Sequence, residues 1–439
     1  MRAKLTARRW IYGGGLSPEW RAVARLRSAE ALSRLSALRA KARGRNGDGA
    51  EAIGYLLSKD DPRRERLLVH PAFDYWLWAA SGREPERLFD CVQGFAAWLA
   101  CLRGESLKLG ARLDAQARLN LYGGPVFLSF PRRRAGQSLR LSAQDGGLRL
   151  SLSGAEVVVA KKLLLRAAGG GAAAVGEARL GRNPELAGGL MVERSSRLVL
   201  DLVRQVDPLA GRGLPRFLGP LEEALRDIRE IDPPLCEELL DAVRMIVPLR
   251  NPDGHDSVSS SFGNLRGAIC LSASRDPLLQ AETLIHEFCH QKLYRLLAAD
   301  PVLRPGQGGK VFYSPWRRDP RRLWGALLGA HAFLNVARYL LGLLERDRLR
   351  GERREKATGA VALRLFQIED ALRTLQFYGV FTEFGAELLD GMWRELGLLW
   401  HAAQWFDPEI VEVQRQRCAE HRAKHALGAT GCHGGGGDG

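Results

Sequence analysis

The chain has no Cys-x-x-Cys pair. Its seven cysteines, Cys91, Cys101, Cys236, Cys270, Cys289, Cys418 and Cys432, are odd in number and widely spaced. That pattern excludes a disulfide framework of the secreted type and fits a reducing, cytoplasmic setting. The basic N-terminus, MRAKLTARRWIYGGGLSPEW, reaches glycine and proline before any apolar stretch develops, so no secretory signal is expected. No uninterrupted apolar run of spanning length occurs either. The longest candidate, LWGALLGAHAFLNVARYLLGLL at 323–344, is broken by His331, Asn335 and Arg338. It reads as a buried helix, and no membrane partner is expected. Although the net charge is +15, no block concentrates it; arginine is spread through runs such as ARLRSAEALSRLSALRAKARGR and SPWRRDPRRL. So even a spread gives little support for nucleic-acid binding, and none is expected. Internal repeats are missing too.

What is present is enough material for two or three domains: 439 residues, 46% of them hydrophobic. The segments PEWRAVARLRSAEALSRLSALRAKA, AFDYWLWAA and LFDCVQGFAAWLACLRG favour helix, giving an N-terminal helical region over residues 1–118. Alternating runs follow, PVFLSF, SLRLSA, LRLSLSG and AEVVVAKKLLL, with a turn at QDGG. They predict a small antiparallel sheet which, with the Gly/Ala-rich linker AAGGGAAAVGEARLGRNPELAGG, fills residues 119–189. From residue 190 to 415 helices return, in LGPLEEALRDIREI and PPLCEELLDAVRMIVPL, and two short strands are expected in SVSSSFGNLRGAICLSAS at 257–274. Residues 416–439, with His421, His425 and a glycine run, read as a flexible tail. The fold class expected is α+β, mostly helical, with a zincin-like metal helix in the C-terminal half.

That helix is AETLIHEFCHQKL, in which His286, Glu287 and His290 spell H-E-x-x-H. Residues four apart project from one helix face a turn apart, so the two imidazoles can share a metal. A site needs at least one more protein donor. The continuation HEFCHQKLYRL has neither the glycine nor the third histidine of the metzincin pattern, which closes that option. His331, in the apolar 323–344 segment, is the expected third ligand, because a buried imidazole needs a partner. Asp319 is the competing carboxylate, and would complete a set of two histidines and one carboxylate.

The segments SSSFGNLRGAICLSAS, AETLIHEFCHQKL, FYSPWRRDPRRL and GALLGAHAF, within residues 257–336, together resemble the HExxH motif-containing peptide-modification proteins; FTEFGAELLDGM near 381 adds a weaker likeness. The resemblance implies an iron(II)- and 2-oxoglutarate-dependent peptide β-hydroxylase acting on a ribosomally made natural-product precursor. It makes His286 and His290 iron ligands and places a third in the segment holding His331. A three-ligand iron leaves positions for 2-oxoglutarate and oxygen, and the far carboxylate of the co-substrate calls for a guanidinium, for which Arg317 or Arg321 would serve. Hydrogen abstraction from a side-chain Cβ uses no general base, so Glu287 would orient a ligand or a water. The alternative is a zinc metallopeptidase in which Glu287 is the general base. A further alternative is a non-catalytic protein that captures a leader peptide by strand addition.

Overall fold

The computed structural model describes residues 18–43, 47–81, 89–165, 173–193, 196–203, 209, 214–251, 257–297, 299–307 and 309–426. The chain forms two compact units, neither continuous in sequence. One comprises residues 21–222 and 243–275, and the other residues 1–20, 223–242 and 276–439.

The first unit begins with helices α1 (Pro18–Arg43, most of which belongs here), α2 (Gly47–Ser58), α3 (Pro62–Leu68), α4 (Pro71–Ala80) and α5 (Phe89–Arg103). Strands β1 (Leu107–Arg112), β4 (Ser138–Gln144), β5 (Gly147–Leu152) and β6 (Ala155–Val159) make one antiparallel sheet in that order. β4 and β5 alternate buried and exposed residues, as one-sided strands do. The turn joining them is Asp145-Gly146, both at positive φ (51° and 75°), the combination a two-residue hairpin requires. A second antiparallel sheet orders β2 (Arg118–Asn120), β3 (Val126–Ser129), β8 (Ala178–Arg182) and β7 (Ala173–Val175). The third sheet is mixed. β10 (Leu190–Val192), β11 (Met245–Leu249) and β13 (Ala268–Ser272) run parallel, flanked by antiparallel β9 (Glu185–Leu186) and β12 (Ser259–Ser260). Two short helices, α6 (Lys161–Leu165) and α7 (Arg197–Leu202), lie between these strands in sequence. Phe73, Trp76 and Phe95 meet at the centre of the helical part, with Phe73 edge-on to Phe95 at 4.9 Å.

The described elements of the second unit are all helices; its non-helical stretches, 299–307 and 309–322 among them, include two isolated bridges. It holds the later part of α8 (Leu214–Ile231), then α9 (Pro233–Ala242), α10 (Pro277–Leu296), α11 (Leu323–Glu345), α12 (Gly351–Tyr378), α13 (Glu383–Ala402) and α14 (Pro408–His425). α10 packs on α9 and α11, and α12 packs on α11, α13 and α14. α11 is long and apolar enough to cross a membrane, and 83% of its most apolar window is buried among its neighbours.

The α+β class and the predominance of helix agree with the sequence reading; several boundaries do not. Strand β1 starts inside the expected helical region of residues 1–118. Two antiparallel sheets stand where one was expected, and the two strands expected at 257–274 are β12 and β13, which belong to a third, mixed sheet. The expected linker carries β7, β8 and β9, its residues 167–172 lying outside the described ones. MIVPL, read as the end of a helix, is the fully buried strand β11. The expected tail is helical as far as His425, and residues 427–439 lie outside those described.

Candidate metal centre

Helix α10 is fixed at its start by Asp276, whose carboxylate accepts from the Leu278 N–H, and by Pro277 at its first position. Its middle is anchored by a buried ion pair: Lys292 Nζ lies 2.9 Å from Glu238 Oε2 of α9, the two side chains only 1% and 2% exposed. Between these ties the helix presents His286 and His290 a turn apart, ring centroids 4.4 Å from one another and planes at 75°.

Glu287, 4% exposed, joins them. The ligand-type atoms of His286, Glu287 and His290 all lie within 4.8 Å of one another, and no other such trio occurs among the described residues. Burial, the neighbouring His290 and the Arg364 charge hold His286 well below its usual pKa; burial alone brings His290 down to about 4. Both rings are therefore neutral at pH 7, the form that offers a lone pair to a metal. His290 Nδ1 is buried without a hydrogen-bond partner. A buried polar atom left in this way calls for an explanation. Two neutral imidazoles and a carboxylate are donor types that suit a divalent first-row metal.

The other expected ligands stand apart. His331 is fully buried in α11 but does not belong to the trio. The α11 side chain that reaches His286 is Phe333, at 4.7 Å between ring centroids. Two residues of helix turn the direction by roughly 200°, so His331 leaves α11 on a different side. Asp319 is also outside the trio, at the surface. There it pairs with both arginines chosen from the sequence: Arg317 Nε donates to its Oδ1 at 2.9 Å and Arg321 Nη2 lies 2.8 Å from its Oδ2. The hydrogen bond from Arg317 holds the Asp319 carboxyl below its usual range.

The segment FYSPWRRDPRRL still reaches the site, through its tryptophan. Phe312 and Arg321 exchange backbone hydrogen bonds at 2.7 and 2.8 Å, closing the loop, and Gln367 Nε2 donates to Pro315 O. Trp316 stacks on Phe333 at 5.1 Å. A Cβ at Gly329 would fall 2.6 Å from the indole, so glycine is what lets that ring approach α11. Trp316 Nε1 is buried without a partner.

Sequence reasoning missed one further pair. Arg364 of α12 lies over the Phe333 ring, 5.5 Å from its centroid, and pairs with Glu282, one turn before His286. Burial raises the Glu282 carboxyl even against the opposing pull of Arg364. Arg364 Nε has no hydrogen-bond partner. Glu282 could have been found by helical spacing from His286; Arg364, far downstream, carries no local signal. No protein-family model matches the chain, and no curated protein matches it.

Proposed function

We propose that this protein is an iron(II)- and 2-oxoglutarate-dependent oxygenase that hydroxylates a side-chain β-carbon in a ribosomally made precursor peptide. The observation that carries the reading is the trio His286, Glu287 and His290, the carboxylate buried and the two imidazoles half-buried, with His290 Nδ1 itself buried and unpartnered. His286 and His290 would hold the iron, with Glu287 as the third donor in place of His331 or Asp319. When bound, the iron supplies oxygen activation coupled to decarboxylation of the co-substrate. Around it, burial keeps both imidazoles unprotonated, and Phe333 and Trp316 keep water from one side of His286. Arg364 is the guanidinium best placed to meet the far carboxylate of 2-oxoglutarate. It is close enough to depress the pKa of His286, and its Nε is a buried donor with nothing to donate to. Arg317 and Arg321 pair with Asp319 at the surface, outside the trio, whereas Arg364, though itself paired with Glu282, keeps a buried Nε donor over.

The test is anaerobic loading with iron(II), then 2-oxoglutarate, oxygen and a candidate precursor peptide, read by mass spectrometry. The expected product is the peptide plus one oxygen atom, with one succinate per turnover. Peptide fragments instead would establish the zinc metallopeptidase reading, which the burial of Glu287 beside both imidazoles also suits. Glu287→Gln separates the two further. A third donor lost lowers the metal content, whereas a general base lost leaves the metal in place and stops turnover.

A further inference from the structure

In the helical unit, away from the histidines, α8, α10 and α11 enclose a cleft of about 240 Å³. Four carboxylates line it, Glu223, Asp227 and Glu230 of α8 and Asp276 at the start of α10, against two guanidiniums, Arg348 and the exposed Arg353. Arg348 is taken up by Glu230, at 2.8 Å. Glu223 and Asp227, one helical turn apart, make no ion pair or hydrogen bond among the described residues. Burial, and then the like charge of Glu223, push the Asp227 carboxyl above its usual range.

A second observation is independent of the acidic residues. Tyr339 of α11 is 1% exposed, lines the cleft, and has no hydrogen-bond partner among the described residues. Burial and the charge of Asp227 raise its phenol pKa, so it is a neutral hydroxyl that can accept from a cation. The carboxylates do not form a trio of close ligand atoms, so the cleft is too wide to grip a bare metal ion. Leu343 and Leu349 supply apolar wall between the charges. A charged head on an apolar stem has this shape and chemistry.

The geometry points to a binding site for the ammonium or guanidinium head of a lysine or arginine side chain, held by Asp227, Glu223 and the Tyr339 hydroxyl. That the side chain is carried by a peptide rests on the function proposed above; capture of the cation does not. Leu278, on the wall of the cleft, precedes His286 by eight residues of α10, about 12 Å along its axis. An extended peptide covers that span in about three to four residues, which sets the expected spacing between the basic residue and the modified one.

The test titrates the full-length protein, without metal, with Nα-acetyl-arginine methylamide, using the uncharged norleucine analogue as control and calorimetry or ligand-observed NMR as readout. Saturable binding of the arginine derivative alone is expected. Glu223→Gln with Asp227→Asn should weaken it at least about tenfold, and Tyr339→Phe, which keeps the ring packing, about threefold. Absence of saturable binding, equal binding of the norleucine analogue, or unchanged affinity in the folded double variant would each overturn the assignment. None of these results depends on hydroxylation, so a failed oxygenase assay leaves them standing.

Discussion

The two units each hold a half-buried histidine whose pKa falls to about 4, and the two rings are used differently. In the sheet-bearing unit, His70 caps α4, its Nδ1 accepting from the Ala72 N–H at 3.2 Å, and burial depresses its pKa. The fold uses that imidazole. In the helical unit, His290 has the same depressed pKa, yet its Nδ1 is buried with no partner, beside a second neutral imidazole and a buried carboxylate. The two rings share desolvation and differ in the hydrogen-bond account of Nδ1.

The largest expected effect concerns what holds the ligand helix. Lys292→Met removes the cation paired with buried Glu238 and should cost roughly 3–5 kcal/mol of stability in denaturant unfolding, with much of it recovered when Glu238 is also made apolar. A loss under about 1 kcal/mol would mean that α10 is held in some other way.

Acid comes next. For the metal-free protein, His290 titrates near 6.5 when unfolded and near 4 when folded, so the unfolded chain binds the extra proton between those values. Stability is thus present above pH 6.5 and lost as pH falls toward 4, by on the order of 3 kcal/mol for this one group. His70 contributes a loss of the same sign, so the comparison needs variants. His290→Asn and His70→Asn should each flatten the slope. Adding metal should steepen the acid loss in His70→Asn but not in His290→Asn.

Arg364→Lys should raise the KM for 2-oxoglutarate about tenfold, with metal content unchanged, because a point charge replaces a planar fork. Arg317→Lys, whose parent pairs with surface Asp319, should leave KM unchanged. The smallest effect is that of the structural histidine: His70→Ala should cost about 1 kcal/mol, as the loss of a helix cap does, with no change in metal content.

Local chemistry was legible in the sequence, and non-local pairing was not. The Asp145-Gly146 hairpin, the buried apolar helix at 323–345 and the facing pair His286 and His290 each follow from spacing within one element. MIVPL is ambiguous in the sequence because a short apolar run serves a buried parallel strand and a helix end equally well; its partners Met191 and Ala268 are distant in sequence. The buried, apolar setting of His331 is legible in its segment, but the rotation of α11 gives the place beside His286 to Phe333. In FYSPWRRDPRRL, Asp319 sits two residues from both Arg317 and Arg321, a local signal that it pairs with them, whereas nothing local reveals that Arg364 comes in from α12. The discontinuous units were invisible for the same reason: the helical unit is joined from separate stretches of chain.

The most direct test is metal stoichiometry after anaerobic loading with iron(II) and desalting, measured on folded wild type, His70→Ala and His290→Ala. One iron per chain in the first two and almost none in the third is the expected result. Equal iron in all three, or none in the wild type, would contradict the assignment of His286, Glu287 and His290 as a metal centre.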